Sequence, residues 1–477
     1  MSAASPRRLP VDLPRESLVD GIQSVEVSSL KWDESIYPRS DVDTDLVETY
    51  VEALNNGTTL PPIIVEEGTG RILDGVHRWR AHQKAGRTEI RATFVTVPEG
   101  ETPKYYSARL NASHGARMKL SELKAIAMSM AEAFPDAEVA GMQTKIARDF
   151  SVAPRTVCDW IGSIYNAKRW GRDLAIAKLS ILGWSQSMIA EKYGLDQTTV
   201  GAIVGKTATV LKSLESLLSR NDVAEAARKG EVPELLAWSI ALDGKTDVER
   251  MEALGFNVRP YDVWNFQCDD RFGTDGYPGR IPAALVAHAL FFYTEPGDLV
   301  LDPMAGGATV SDVCLAMGRR CLSYDIAPTE GRPEIIQADV AKGLPPKPKG
   351  RGAKLAFWDP PYFSKKDYAE GSISHLPKDQ YLGVFARVAE TATSWLEKDG
   401  RLALLMSDFT PSFDGKTTDT IWLWDYVRVI EQAGYQVERR IQCPLGSQQL
   451  SPRAQAAFPT QKKLGRLGRD LVVFRRA

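Results

Sequence analysis

The sequence predicts an α/β chain: a doubly wound, mostly parallel sheet at the C-terminus, a smaller α+β region at the N-terminus and a helical region between them. Three observations predict it. From residue 260 onward, short apolar runs alternate with helical segments, the pattern of a parallel sheet covered on both faces. From 22 to 118 shorter strands and helices alternate. From 119 to about 255 apolar residues recur with helical period and few glycines interrupt them.

Composition narrows the function classes. A chain of 477 residues has room for two or three domains. At 43% hydrophobic and 25% charged it reads as globular, and its apolar runs, such as IPAALVAHALFF, fall short of a membrane span. The N-terminus lacks the apolar core of a signal peptide. Five cysteines, with no CxxC, fit a reducing cytoplasm, and the dispersed cysteines and histidines supply no metal framework. The formal net charge of −2 gives no global basic field, so contact with nucleic acid has to come from local patches.

Taken in order, residues 1–21 are a polar, Pro-rich arm expected to be flexible. In 22–118, IQSVEVSSL, PPIIVEE, the start of RILDGVHRWRAHQKAG and EIRATFVTV are candidate strands, and DLVETYVEALNNG is a helix. Residues 119–210 hold two helix-turn-helix candidates, and 211–259 reads as a helical connector. In 260–477 the candidate strands are GDLVLD, RCLSYDI, EIIQADV, KLAFWD, RLALLMSD, YQVERRIQC and DLVVFRR.

The C-terminal region carries the chemistry. The strand ending at Asp302-Pro303 runs into the small-residue turn Ala305-Gly306-Gly307-Ala308, and a helix opens at Thr309. Such a turn lets a ligand approach the backbone, and the helix offers its N-terminal N–H groups. Asp325, 19 residues beyond Gly306, suits the hydroxyls of a ribose. Together they point to an adenosine-containing cofactor, although such a turn alone suits many nucleotide or flavin folds, and the full G-x-G-x-x-G is absent. A second strand ends on Asp359-Pro360-Pro361-Tyr362. Proline removes backbone donors, so this tip offers acceptors, the Asp359 carboxylate and backbone carbonyls. Acceptors hold the hydrogens of an exocyclic amine, and Tyr362 can stack on a base that has left its helix.

On these residues the C-terminal region resembles the S-adenosylmethionine-dependent DNA amino-methyltransferases, a Rossmann-like fold. LDPMAGGAT resembles that family's cofactor loop, D-P-F-x-G-x-G-T, and WDPPY its catalytic D/N/S-P-P-Y/F/W tetrad. The resemblance implies that Asp302, Pro303, Gly306, Gly307 and Thr309 hold S-adenosylmethionine, that Asp325 binds its ribose and Asp339 its adenine, and that Pro282 lies near its methionine end. It makes Asp359, Pro360, Pro361 and Tyr362 the catalytic set. A tetrad opening on Asp favours adenine N6 over cytosine N4 within that family, and the lack of a Pro-Cys dipeptide disfavours methylation at cytosine carbon 5. Ala308 stands in place of the second glycine and Met304 in place of the phenylalanine.

In the N-terminal region, a helix bearing His77, Arg78 and Arg80 follows Gly75, an arrangement that can bind an anion; Asn111, His114 and Arg117 follow at helical spacing. This half resembles the N-terminal domain of ParB-like partition proteins, in the fold shared with sulfiredoxin. DGVHRWRA stands at their G-E-R-R-x-R-A phosphate motif and NASHGARMKLSE at their N-x-x-R segment. The resemblance implies a CTP site at Gly75, His77, Arg78, Arg80, Asn111 and Arg117. Val76 replaces the reactive cysteine of sulfiredoxin, and Val76-His77 replaces the Glu-Arg of the partition motif. The helix-turn-helix candidates are 142–164 and 183–206. Polar residues opening the second helix of that motif face bases, which selects Arg155, Thr156, Gln197 and Thr198; a plain helical hairpin is the alternative.

The expected protein is a DNA methyltransferase that modifies adenine N6, with a ParB-like DNA-binding half and no metal. Its expected partner is double-stranded DNA, with a homodimer as a candidate assembly. The loops after Tyr362 and Asp408 read as short for a target-recognition domain, so the helix-turn-helix half is expected to supply site selectivity. The rival is a non-enzymatic ParB-like regulator or partition factor whose methyltransferase half has decayed; an RNA or protein substrate is a third reading.

Overall fold

The structure is a computed structural model describing residues 21–112, 118–215, 233–350, 352–363, 371–409, 420–445, 459–460, 462 and 467–477. It divides into two compact units, Met1–Arg172 and Asp173–Ala477. Among the described residues no helix is long and apolar enough to cross a membrane.

In the first unit, β1 (Gln23–Glu26), β2 (Ile63–Glu66), β3 (Ile72–Asp74) and β4 (Glu89–Val95) form a mixed sheet in the order β1-β4-β2-β3. Only β2 and β4 pair in parallel. Helices α1 (Thr44–Asn55) and α2 (Val76–Lys84) accompany it. The alternating apolar positions Ile63 and Val65, with Ile90 and Ala92 of β4, meet Trp79 of α2 in one core. The Trp79 indole donates to the Val27 carbonyl at 3.1 Å. Helices α3 (Pro103–Ala112), α4 (Leu120–Ala133) and α5 (Met142–Asp149) share a second core, which also holds Val157 and Ile161 of α6 (Pro154–Ile181). Between α5 and α6 the chain turns at Ser151, φ +52°, and Pro154 opens α6 where a missing N–H costs nothing.

In the second unit, seven strands form one sheet in the order β10-β11-β9-β8-β5-β6-β7. They are β5 (Leu299–Asp302), β6 (Arg320–Asp325), β7 (Ile335–Gln337), β8 (Ala353–Trp358), β9 (Leu396–Met406), β10 (Tyr435–Gln442) and β11 (Asp470–Arg476). All seven coincide with the predicted runs. The sheet is parallel except at β11, which runs against both neighbours. Near-continuous apolar strands such as β8, buried at five of its six positions, fit a sheet covered on both faces. Helices Ala283–Tyr293, Thr309–Ala316 and Lys378–Trp395 are each buried over much of their length.

The helical stretch differs from its expected organisation. The second helix-turn-helix, α7 (Gln186–Tyr193) and α8 (Gln197–Glu215), stands in the same unit as the seven-stranded sheet rather than with the first. Leu182, between α6 and α7, accepts a hydrogen bond from Cys321 N–H of β6 at 2.9 Å. Of the segment read as a connector, the described residues 233–259 are likewise built into this unit. Arg319, fully buried, pairs with Asp247, and Arg250 donates to the Ala316 carbonyl. Helical period in a sequence reports which face is apolar, not which neighbour covers it.

Candidate active site

Strand order reverses between β5 and β8, and the carboxyl ends of these two strands bring Asp302 and Asp359 to one rim. In open α/β sheets that crevice is the ligand site. A cavity of about 190 Å³ opens there, lined by Tyr277, Met304, Asp325, Asp339, Pro361 and Ile373 among others. Three sequence-predicted residues, Asp325, Asp339 and Pro361, therefore share one cavity.

The glycine turn is tightly held. Gly306 N–H donates to Asp325 Oδ2 at 2.8 Å, and Ala327 N–H to Asp325 Oδ1 at 3.0 Å. Thr329 Oγ1 donates to the Gly306 carbonyl at 2.8 Å, and Thr274 N–H to that of Gly307 at 2.7 Å. Gly306 has φ +49°, and a Cβ there would sit 3.0 Å from the Tyr277 ring; at Gly307 the distance is also 3.0 Å. A side chain at either position would crowd the Tyr277 ring, and at Gly306 the positive φ also favours glycine. Beneath the turn lies a buried ion cluster. Asp312 accepts from Gly273 N–H and Arg332, both at 2.8 Å, and Lys178 of α6 pairs with Glu334, also at 2.8 Å. Arg332 also donates to Thr274 Oγ1 at 3.0 Å, which links the cluster to the turn.

The carboxyls crowd at the rim. Asp302 is 1% exposed and is not among the cavity-lining residues; Ser323 Oγ lies 3.5 Å from it. Burial, with Cys321, Asp325 and Asp359 nearby, pushes its carboxyl well above the usual range. Burial also raises Asp325. The Tyr277 phenol is pushed up to about 12 by burial and by the charges of Asp325 and Asp359. Pro303 and Thr309 are buried, Thr309 against Gly273, and Pro282 caps the helix Ala283–Tyr293. Asp339 caps a short 3-10 turn and pairs with Lys342 at 2.9 Å.

The tetrad is braced from behind. Pro360 is buried, while Asp359, Pro361 and Tyr362 are half-buried. The Tyr381 hydroxyl donates to the Pro361 carbonyl at 2.9 Å, and Phe363 packs edge-on against the Tyr381 and Phe409 rings. Sequence reasoning missed Tyr277, Arg332 and Tyr381. The only local signal, an aromatic or a charge near a glycine, is too common to select them. Residues 364–370 and 410–419, most of the two loops read as short, lie outside the described residues.

In the N-terminal unit the anion candidates are largely engaged internally. His77 Nε2 accepts from Asp43 N–H at 3.0 Å, and burial, then Arg39, keeps its protonation below the usual 6.5. Arg78 donates to the carbonyls of Pro61 and Pro62 and pairs with Asp74 at 2.9 Å. Arg80 lies over Trp32, 4.7 Å from the ring centroid, and Asn111 donates to the Ser107 carbonyl at 2.8 Å. Gly75 starts α2 at φ +99°, where a Cβ would strike Ile63 at 2.5 Å. Arg117 and His114 lie outside the described residues. At the helix-turn-helix candidates Arg155, Gln197 and Thr198 are exposed and Thr156 is half-buried.

The sheet order and the switch-point crevice give the second unit the Rossmann-like fold of a methyltransferase. The comparisons are more particular: residues 206–333 match the family described as DNA methylase, and residues 14–108 match the ParB N-terminal domain. The chain thus combines a ParB-like domain with a DNA-methylase domain. The methylase match ends before Asp359.

Among curated proteins the chain is similar to the "Streptomycin biosynthesis operon possible regulatory protein" of Streptomyces griseus, 26% identical over 46% of this chain and 63% of that one. It is also similar to the "Transcriptional regulator NovG" of Streptomyces niveus, 34% identical over 20% of this chain and 29% of that one. The "DNA adenine methyltransferase YhdJ" of Escherichia coli is 34% identical over 17% of this chain and 29% of its own length. The chain thus spans less than two thirds of each of these relatives. A solved TehB-like SAM-dependent methyltransferase from Corynebacterium glutamicum aligns with 48% of this chain and 94% of its own, at 15% identity and TM-score 0.25.

Proposed function

We propose that this protein methylates DNA, moving a methyl group from S-adenosylmethionine to an exocyclic base amine, adenine N6, while its helix-turn-helix segments contribute site selectivity. The observation that carries this reading is the cavity at the strand-order reversal, which joins Asp325 and Asp339 to the tip of the tetrad at Pro361. The site suits that cofactor. The turn at Gly306 and Gly307 brings the backbone close under Tyr277, and acids for ribose and adenine lie at the end of β6 and just past β7. When bound, S-adenosylmethionine supplies an electrophilic methyl group on a sulfonium.

The chain's own residues do the rest. Asp325 accepts from ribose hydroxyls and Asp339 from the adenine amine. Asp359 and the Pro360 carbonyl accept the two hydrogens of the target amine, which aims the nitrogen lone pair away from them and stabilises the charge that develops. The Pro361 carbonyl accepts from Tyr381, which helps fix the strand tip. Tyr362 stacks on the extruded base, and Asp359, which holds the amine, can take the proton the methylated nitrogen sheds.

The test uses full-length protein, labelled cofactor and duplex DNA, with nucleosides identified by mass spectrometry. N6-methyladenine is expected. Asp359→Ala should lower kcat by at least about 100-fold, with cofactor affinity within about threefold. Cofactor binding without transfer to any DNA would favour the regulator reading, which the two Streptomyces relatives support.

A further inference from the structure

The helix Leu423–Gln432 begins with two tryptophans at the surface, Trp422 at 51% and Trp424 at 61% exposure, on either side of buried Leu423. Solvent-facing indoles are costly and mark contact surfaces when charge surrounds them. Here Trp424 has one cation over its ring and another on the same helix face. The Arg440 guanidinium lies 5.8 Å from its ring centroid, and exposed Arg428 follows at i+4 on the same helix face. Arg440 pairs with Asp470 at 2.9 Å, yet its side chain stays 46% exposed.

This patch is tied to the tetrad through buried packing. Leu423 N–H donates to Asp408 Oδ1 at 2.7 Å, and Phe409 pairs with Ile421. The Phe409 ring is 5.0 Å from that of Phe363, the residue after Tyr362. Strand register sets the spacing. Trp358 is opposite Leu404, Met406 is opposite Asp470, and Asp470 is opposite Gln442, so Asp359 and Arg440 sit near the same rim, three strands apart. Three strand spacings are about 14 Å, or roughly four base steps along a strand at about 3.4 Å each.

We propose that Trp422 and Trp424, with Arg428 and Arg440, form a DNA-gripping platform that stacks on bases and holds phosphates a few steps from the extruded nucleotide. The proposal rests on the DNA-methylation reading. An indole flanked by guanidinium groups suits both the π-face of a base and the adjoining phosphate. A protein partner would have no use for the alignment with the tetrad.

Two readouts separate this proposal from the reading beneath it. The first is ultraviolet crosslinking of the full-length protein to duplex DNA carrying 5-iodouracil, with peptides identified by mass spectrometry. A crosslink to the 420–428 peptide is expected; crosslinks confined to 142–206 would overturn the platform whether or not any methyl group is transferred. The second is steady-state transfer by the Trp422→Ala/Trp424→Ala double variant and by Arg440→Gln. KM for DNA should rise at least tenfold, with kcat within about twofold and KM for the cofactor unchanged. Wild-type transfer with the variants' DNA KM unchanged would overturn the platform and leave the methylation reading standing. Variants that keep DNA KM but lose self-association would assign the patch to a second copy of the chain and overturn the platform. A crosslink at 420–428 without methyl transfer would support the platform and sink the reading.

Discussion

Ala308 occupies the place of a glycine at φ +67°, a conformation costing an L-residue about 1 kcal/mol. Its methyl is fully buried and clusters with Ala305 and Ile335, which returns about 0.8 kcal/mol. The two terms nearly cancel, so Ala308 is weak support for a decayed domain. Ala308→Gly should change stability by less than about 1 kcal/mol, a Tm shift under about 4 °C, with cofactor Kd within about threefold; calorimetry and titration check both. His77 supplies a pH test. Neutral in the folded state, its imidazole accepts from Asp43, while the unfolded chain titrates it near 6.5. As pH falls the unfolded state takes up the proton first. The stability it contributes is therefore whole above about pH 6.5 and is lost as pH falls through that value and below. Melting of the wild type between about pH 7.5 and 5 should show this loss, and His77→Gln, which keeps an acceptor, should flatten it.

At the scale of elements, the tetrad's strand tip is held by a helix rather than by its own prolines. Tyr381, on Lys378–Trp395, ties the Pro361 carbonyl. Tyr381→Phe should lower kcat about tenfold by loosening the tip, with cofactor KM unchanged and about 1 kcal/mol lost in stability. The strand itself is legible in the sequence. KLAFWD is an unbroken apolar run stopped by two prolines, and both signals are local. The turn at Gly306 and the acid at Asp325 are legible for the same reason, since their spacing is a property of one strand-turn-helix-strand unit. Tyr277, Arg332 and Tyr381 are not. Each acts on a residue 20 or more positions away, Gly306, Asp312 and Pro361 respectively, and no local periodicity encodes such a meeting. The anion motif at Gly75 is legible only in part. Its charges are visible in the sequence, but the contacts of Arg78 with Pro61, Pro62 and Asp74 are not.

At the scale of the whole molecule, the helices between the two α/β regions divide between the units. α6 itself crosses the boundary at Arg172; past that point come Lys178, which reaches the buried acids beneath the glycine turn, and Leu182, which hydrogen-bonds β6. Deleting residues 1–240 should therefore cost solubility and cofactor binding together, because the buried acids Glu334 and Asp312 would lose a paired cation. Deletion of 1–172 should leave cofactor binding within about threefold, as titration would measure. That asymmetry limits how target choice could be re-engineered. The two helix-turn-helix candidates are not one cassette: a graft taking 119–210 from a relative would carry Lys178, the partner of Glu334 and Asp312, with it, so an exchange of the first candidate has to close its seam ahead of Lys178, and the second has to be altered in place, side chain by side chain.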